Sequence, residues 1–345
     1  MGKFLKASVL VAISLLLFVS CKERAKTETT EVAPIKVSIQ RLEPELVACK
    51  NQAEVLSFLN KRKSIAEAYF QVPAQEFPNL AAQLWSIINN PGLKEFYEQS
   101  KEPAFFQNVS DIEADFSELF THLSAYDSTF KAPKIYTLFM GFMSGAFKGF
   151  LFDQMDGLYV SDSLVVIGLD FFMGKKAKFR PQVYDYQLRR YQREYIVPTA
   201  ALVYSYAYNE TDLSNKTLLS DMVFAGKGLT FSSAMMPTKN DSLFLHYTGQ
   251  QLAETTEAQD LVWAHLINEQ LLYKTDQFIK GKYMGDAPST PSVGPRCPGS
   301  IGRWVGWRIV RKLQETNPDL SLKQLMQMAD AQKLLEASKY RGQVE

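Results

Sequence analysis

The stretch that most constrains the fold is a nearly unbroken apolar run from Pro198 to Asn209. Ser205 is the only plainly polar residue between Ala200 and Tyr208, so no side of a helix formed here would favour water. A helix that is apolar all round is normally enclosed by the rest of its domain. Proline suits the first helical turn, because its missing N–H would be unbonded there anyway. The run therefore predicts a buried central helix with the neighbouring segments packed around it.

The first twenty residues are predicted to be a signal peptide. Two lysines precede an apolar run over residues 7–19, and a helix over that run would be about 20 Å long, short of the roughly 30 Å hydrocarbon core of a bilayer. The run ends in Phe18-Val19-Ser20-Cys21, after which the sequence turns polar. This ending resembles a bacterial lipoprotein box with phenylalanine at the usual leucine position. Cys21 is therefore the predicted lipidation site, and an ordinary signal peptide that happens to end at a cysteine is the alternative.

Residues 21–49 are predicted to form the lipid anchor and a flexible tether, because residues 22–34 are charged, rich in threonine and free of aromatic side chains. Removing residues 1–20 deletes two lysines and changes the formal net charge from +1 to −1, so no basic excess indicates nucleic-acid binding. Lys22 rather than aspartate follows the cysteine, which by the usual sorting rule favours the periplasmic side of the outer membrane. Cys49 and Cys297 could pair in an oxidising envelope or remain two free thiols.

Residues 50–345 are predicted to be a single α+β domain that is mainly helical. Apolar residues at helical spacing dominate a section of about 50–132, and a second helical section covers about 236–340. Between them, about 133–235 holds a small sheet and the central helix. Runs of β-branched and aromatic residues bounded by turn residues are typical of strands. Four segments have this character: Lys134–Gly141, Phe147–Asp153, Leu158–Val160 and Leu164–Leu169.

Two kinds of sequence pattern predict helices in the two flanking sections: apolar residues at helical spacing, and capping boxes at helix starts. A long helix is predicted from Thr248 to Tyr273, where apolar residues recur at helical spacing. Capping boxes, in which a serine is followed three residues later by glutamate or glutamine, mark helix starts. Ser110 with Glu113 and Ser321 with Gln324 fit that spacing.

Sequence motifs for catalysis are scarce. The three histidines, His122, His246 and His265, include no pair at the i, i+4 spacing that presents two zinc ligands on one helix face. His265 and Glu269 have that spacing and, with His246, could hold a metal, although two ordinary polar residues on a helix are the simpler interpretation. No phosphate-binding glycine loop and no Gly-x-Ser-x-Gly motif is present. We expect no cofactor.

Three arginines, Arg189, Arg190 and Arg193, lie just before the apolar run. Such a cluster could bind an anionic partner. A solvated helix face is the interpretation that the sequence favours, since charged residues at close spacing usually lie in water.

Five segments together resemble the gliding-motility lipoprotein GldB family. The resemblance begins with Val166-Ile-Gly-Leu-Asp-Phe-Phe-Met-Gly174 and continues in Leu218–Lys227 and Trp263–Glu269. It then covers Cys297–Val310 and the closing Leu335–Tyr340. With the lipoprotein signal, these segments span most of the mature chain, and their order makes the match more specific than any one of them.

That family is similar in turn to zincin-like proteases, in which a proline-led helix carries His-Glu-x-x-His and a later Leu-Val-x-Glu-Gly segment adds an acidic group. The resemblance implies a zincin-like core, with a small sheet packed against the buried central helix. The histidine and glutamate positions of the helix then fall at Val203, Tyr204 and Ala207, and the later glutamate falls at Ala225. Residues 195–209 contain neither histidine nor acidic side chains. We therefore expect these positions to be buried apolar packing without a metal.

The leading hypothesis is a lipid-anchored cell-envelope protein of the bacterial gliding machinery, a non-catalytic pseudoprotease that acts through other gliding or envelope proteins. The resemblance is the whole basis for the motility role. Two alternatives remain open at this point. One is an active hydrolase with a displaced metal site, and the other is a ligand-binding module that reuses the old substrate cleft.

Overall fold

The computed structural model of the chain describes residues 33–143 and 157–343, and a four-stranded mixed sheet lies near the middle of this part. The strand order is β1-β2-β4-β3; β1 and β4 both run parallel to β2, whereas β3 pairs with β4 in the antiparallel direction. All five residues of β4 are buried, as expected of a strand covered on both faces. The strand bounds are Ile39–Arg41 for β1, Lys134–Leu138 for β2, Leu158–Val160 for β3 and Leu164–Gly168 for β4.

Three of the four predicted strands are confirmed to within a few residues, as β2, β3 and β4. The fourth, Phe147–Asp153, lies outside the described residues, as do the predicted signal peptide and Cys21.

The folded part begins earlier than predicted, because β1 lies in the segment assigned to the tether. Residues 39–41 pair with residues 135–137 of β2. The fully buried Glu43 then accepts hydrogen bonds from Thr137 Oγ1 at 2.6 Å and Arg41 Nε at 2.5 Å. The boundary at residue 50 is therefore wrong. The sequence did not reveal β1 because the strand has three residues, too few to show a period.

Helices surround the sheet. The first six are α1 (Glu43–Val47), α2 (Gln52–Lys61), α3 (Lys63–Phe70), α4 (Phe77–Ile88), α5 (Pro91–Ser100) and α6 (Ser110–Tyr126). The central ones are α7 (Ile196–Ser205) and α8 (Leu218–Met235), and α7 is preceded by the short 3-10 helices Leu188–Arg190 and Arg193–Tyr195. The last seven are α9 (Asp241–Leu245), α10 (Gly249–Glu257), α11 (Gln259–Asn268), α12 (Gln277–Met284), α13 (Ile301–Thr316), α14 (Leu322–Gln327) and α15 (Ala331–Ser338).

The predicted central helix corresponds to α7, and its burial is confirmed: every residue of α7 except Val203 is buried. The helix begins two residues before Pro198 and ends four residues before Asn209. Beyond Ser205 the chain forms a turn, in which the N–H groups of Tyr206, Ala207 and Tyr208 donate to carbonyls three residues back. Hydrophobicity continued past the point where the helix ends, so the apolar run alone overestimated its length.

A second buried helix, α8, shares the centre with α7 and packs most closely against α13. A Cβ added at Gly226 would lie 2.2 Å from the carbonyl oxygen of Gly306, and one added at Gly306 would lie 1.7 Å from that of Met222. No side chain fits between two backbones at those distances. Glycine at both positions therefore permits the contact on which the C-terminal half is built. Buried apolar side chains from all three sections belong to one continuous core.

Two local helix predictions are wrong. The predicted helix from Thr248 to Tyr273 is divided at Ala258 into α10 and α11, and a turn after Asn268 ends it early. Ser110 is the first residue of α6 and caps nothing; the carboxylate of Glu113 instead accepts a hydrogen bond from the backbone N–H of Ile39 at 2.8 Å. The capping box of Ser321 and Gln324 at the start of α14 is confirmed.

Candidate functional site

The C-terminal end of α7 is the first candidate site, because the resemblance places zinc-ligand positions there. Tyr204 is only 7% exposed. Its ring lies edge-on to those of Phe120 and Phe130, and its hydroxyl donates to the carbonyl oxygen of Ser161, beside β3, at 3.3 Å. Burial raises the pKa of this phenol well above its usual value. Val203 is half-buried at the edge of the core. Tyr204 thus packs α7 against α6 and the end of β3, and Val203 packs against the core.

Ala207 differs from the prediction, since its side chain is exposed rather than buried. The residue lies in the turn after α7, which directs it away from the core. The neighbouring ring of Tyr206 stacks on Phe224 of α8, with centroids 5.8 Å apart. A larger side chain at position 207 would therefore point into solvent and would not overpack the core.

Ala225 is half-buried on α8, one residue before the glycine that contacts α13. It therefore lies next to the contact between α8 and α13, the helix crossing. Of the four positions that the resemblance assigns to the metal site, only Tyr204 carries a polar side-chain atom, and that hydroxyl already bonds Ser161. Zinc in proteins is held by imidazole, thiolate or carboxylate groups. The residues present at these four positions do not fit a zinc ion.

The displaced metal site is not assembled in the described part of the chain. His265 Nε2 lies 3.0 Å from the hydroxyl of Tyr283, and Glu269 is exposed at the end of α11. His246 lies after α9, where its ring meets that of Tyr195 at 5.8 Å. Across residues 33–143 and 157–343, no three or more histidine, cysteine, aspartate or glutamate side chains are grouped so that they could hold a metal.

The two cysteines of the described chain, Cys49 and Cys297, are both free thiols, so of the two alternatives left open by the sequence the unpaired one is found. Burial raises the pKa of the Cys297 thiol to about 11, and burial is also the main cause of the raised pKa of Cys49. A thiol with a raised pKa is mostly protonated at neutral pH and is a poor nucleophile. Neither cysteine has the environment of a catalytic one.

The three arginines before α7 are engaged with the protein, so the predicted solvated helix face is wrong. Arg189 Nη1 donates to the backbone oxygen of His246 at 3.1 Å and to Gln251 Oε1 at 2.7 Å. Arg190 is buried and pairs with Asp286 at 2.5 Å. Arg193 donates to the carbonyl of Phe105 and pairs with Asp111. The chain here forms short 3-10 turns, which direct successive side chains to different neighbours.

Arg189 and Arg190 line a cleft that sequence reasoning did not predict. We call it the arginine cleft. It lies between the 3-10 helix Leu188–Arg190, the start of α10, the loop after α12 and the N-terminus of α13. About 50 Å³ inside it is accessible to the centres of water-sized molecules. Its charged and polar lining residues include Arg189, Arg190, Arg303, His246, Gln251 and Asp286. Residues from four separate parts of the chain meet here, which explains why no local motif marked it.

Two buried charged groups also escaped sequence reasoning. Asp170, in the segment Val166–Gly174, is 1% exposed and accepts a hydrogen bond from the backbone N–H of Phe142. Burial raises its pKa to about 6. The ammonium group of Lys227 donates to the carbonyl oxygens of Glu210, Met326 and Met328, while burial lowers its pKa to about 8. The only sequence signal was a charged residue within an apolar segment.

These features define a mainly helical α+β protein whose most distinctive residues, including the paired glycines of α8 and α13, maintain the fold. The chain belongs to the family of the gliding motility protein GldB, whose family model, that of a lipoprotein, matches residues 22–342. Neither the curated proteins nor the solved structures include a match. Among the described residues, no helix is long and apolar enough to cross a bilayer.

Proposed function

We propose that this gliding-motility protein is a lipid-anchored, non-catalytic component of the cell envelope that acts by binding protein partners. The observation that carries the proposal is the packing at the end of α7. Where a zinc protease needs two imidazoles and a carboxylate, this helix supplies Val203 and Tyr204, and the turn after it supplies Ala207. Tyr204 is built into the core through Phe120 and Phe130. Such packing stabilises the fold and provides no group to activate water.

A zincin-like ancestry is part of the proposal. The small sheet packs against α7 through its antiparallel edge strand, β3, and the hydroxyl of Tyr204 bonds the residue that follows that strand. A sheet packed on a buried, proline-containing helix is the arrangement that the resemblance implies. A protein that retained this fold without the zinc ligands would keep its structure but could no longer bind zinc or catalyse hydrolysis.

Attachment to the membrane is proposed to occur through Cys21, on the periplasmic side of the outer membrane. The basic start, the apolar run and the Ser20-Cys21 ending of the sequence support it, together with membership of a lipoprotein family. The lipid would hold the folded part near the bilayer through the short charged segment that precedes β1.

An interaction role is consistent with the apolar side chains that remain exposed on the C-terminal section. Leu261 and Ile267 on α11 are 67% and 46% exposed, and Phe278 on α12 is 76% exposed. These residues are the natural first targets for mapping a partner.

Complementation of a deletion strain tests this proposal. Wild type should restore gliding, and cross-linking in intact cells should recover specific envelope proteins with it. Cys21→Ala should leave the protein outside the membrane fraction and fail to restore gliding. Cys49→Ala, which changes a half-buried cysteine outside the signal, is the matched control and should behave like wild type.

The same strain distinguishes the displaced-site hydrolase. Glu269→Gln and His265→Gln should both support normal gliding, because neither residue has a catalytic role in this account. Loss of gliding in the exposed Glu269→Gln variant, with normal protein level and melting temperature, would contradict the non-catalytic proposal. Membrane attachment of Cys21→Ala with an acylated N-terminus would contradict the anchor.

A further inference from the structure

The chain between β4 and the 3-10 helix Leu188–Arg190 contains a loop, residues 174–186, which we call the basic loop. Four of its residues are basic, and their side chains are all exposed: Lys175, Lys176, Lys178 and Arg180. Asp185 is its single acidic residue, so its formal charge is +3. The mature chain as a whole carries a formal charge of −1. Positive charge is therefore concentrated in this loop.

The protein neutralises little of this charge. Lys178 Nζ pairs with Glu95 Oε1 of α5 at 2.5 Å, where the two side chains are 47% and 62% exposed. Glu98, the other acidic residue of α5, pairs with Lys101 at 2.6 Å. The three other cations of the basic loop form no ion pair within residues 33–143 and 157–343. A surface with an excess of one sign of charge attracts structures of the opposite charge.

The basic loop is packed onto the body of the protein. Ala177 is buried, and its backbone N–H donates to the carbonyl oxygen of Gly174 at 3.2 Å, which closes a turn. The ring of Phe179 lies edge-on to that of Phe96 in α5, with centroids 5.4 Å apart, and Val183 packs against the hydrophobic core. The four cations therefore project from a loop whose intervening residues are held in place.

Aromatic rings are exposed among these cations. Phe179 is 40% exposed, and Lys178 Nζ lies 5.7 Å from the centroid of its ring. Tyr184 is 72% exposed and stacks on Tyr186 with centroids 5.8 Å apart. A run of charges that is merely solvated needs no exposed rings. Aromatic rings favour the headgroup level of a bilayer, and lysine and arginine are attracted to the anionic lipids there.

We propose that the basic loop docks on a bilayer that contains anionic phospholipids. The choice of a bilayer over another anionic surface rests on the proposed anchor at Cys21. Residues 21–33 span at most about 40 Å, whereas a domain of this size is about 50 Å across. An anchor with that reach permits several sides of the folded part to face the membrane. Docking of the basic loop selects one of them.

The anchor and the basic loop act together in this account. Four cations alone give weak binding that salt screens, so a chain without lipid should leave the membrane fraction when it is washed with concentrated salt. With the lipid inserted, the loop stays close to the bilayer, and its second contact becomes an intramolecular event. One lipid signal combined with a basic patch gives stable attachment.

Flotation of the full mature chain carrying Cys21→Ala tests the proposal. We expect the chain to float with vesicles of phosphatidylglycerol and phosphatidylcholine in equal parts, and not with vesicles of phosphatidylcholine alone. Raising the salt concentration should weaken the binding. The double variant Lys175→Gln/Lys176→Gln should bind at least about tenfold more weakly, because each lysine near an anionic surface contributes about fivefold. Both side chains are exposed, and melting curves establish that the variant is folded.

Lys323→Gln/Lys333→Gln is the matched control. It removes the same charge from exposed positions on α14 and α15, outside the basic loop. Its binding to the anionic vesicles should equal that of wild type. Tyr184→Ser changes no charge and should weaken binding, because it removes a ring from the headgroup region.

Several outcomes would overturn the docking site. These are equal binding to both kinds of vesicle, an equal loss in the control pair, and unchanged binding of Tyr184→Ser. Binding to soluble polyglutamate without binding to vesicles would indicate an acidic protein partner and would also overturn it. The tested chain has no lipid, so failure here would leave the anchor at Cys21 untouched. An acylated Cys21→Ala chain in cells would contradict the anchor and leave the basic loop untouched.

Discussion

Substituting alanine for Gly306 tests the helix crossing at the centre of the fold. The added Cβ would lie 1.7 Å from the carbonyl oxygen of Met222 and 2.4 Å from its carbonyl carbon. Both atoms belong to the backbone of α8, so no side-chain rotation can relieve the overlap. The two helices must separate, and the buried side chains on either side must repack.

The expected cost is at least about 1–3 kcal/mol, the usual range for overpacking in a close-packed core. Alanine gains only about 1 kcal/mol over glycine in helix propensity, which does not offset that cost. Gly281→Ala is the matched control, because Gly281 lies within α12, is exposed, and would place its Cβ more than 4 Å from any heavy atom beyond its chain neighbours and the adjacent backbone of its own helix. That variant should be more stable than wild type by about 0.5–1 kcal/mol.

Urea denaturation followed by circular dichroism measures both changes. At about 2–4 °C per kcal/mol, Gly306→Ala should also melt several degrees below wild type and Gly281→Ala slightly above it. The informative result is that the same substitution, glycine to alanine, lowers stability at Gly306 and raises it at Gly281. If Gly306→Ala fell within about 0.5 kcal/mol of wild type, or if both variants shifted stability in the same direction, the role given to the crossing would be refuted.

Three further predictions concern buried groups. The pKa of Asp170 is raised from 3.8 to about 6 in the folded protein, so as pH rises through this range the carboxyl loses its proton first in the unfolded chain, and the stability of the fold decreases by about 3 kcal/mol. The stability of Asp170→Asn relative to wild type should therefore increase between pH 4 and 7. A difference that does not change with pH would contradict this assignment. Lys227→Met removes a buried ammonium group that donates to three carbonyls, and it should cost at least about 1–3 kcal/mol in urea denaturation. Lys323→Met at an exposed site should change stability by less than about 0.5 kcal/mol, and equal effects of the two substitutions would be inconsistent with this account. Thiol labelling of the unreduced, denatured lipoprotein should detect Cys49 and Cys297 as two free thiols per chain, and detection of none would indicate a disulfide.

The elements that the sequence predicted well are those whose burial is uniform along the chain. Strands β2 and β4 are runs of β-branched and aromatic residues, and α7 is apolar on all sides, so composition alone indicated where they lie. Strand β1 is too short to show a pattern, and its place depends on pairing with residues almost a hundred positions away. The burial of Ala207 was predicted wrongly, because an apolar run predicts burial all round only as far as the helix continues.

The arginine cleft could not be predicted because it is a property of tertiary structure. Arg189 and Arg303 are more than a hundred residues apart, and only the tertiary fold brings their segments together. The same is true of Gly226 and Gly306, because each glycine is needed only where the backbone of the other helix approaches it closely. Motif searches detect functional residues that lie close together in sequence, whereas the polar residues of this cleft come from distant segments of the chain.

The zinc content of the full mature chain, purified without chelator, tests the central claim most directly. Elemental analysis by mass spectrometry should find far less than one zinc per chain, and the melting temperature should be the same with and without EDTA. Those results are expected if the positions of Val203, Tyr204, Ala207 and Ala225 supply no metal ligands. About one tightly held zinc per chain, removed by EDTA with a fall in melting temperature, would contradict the account.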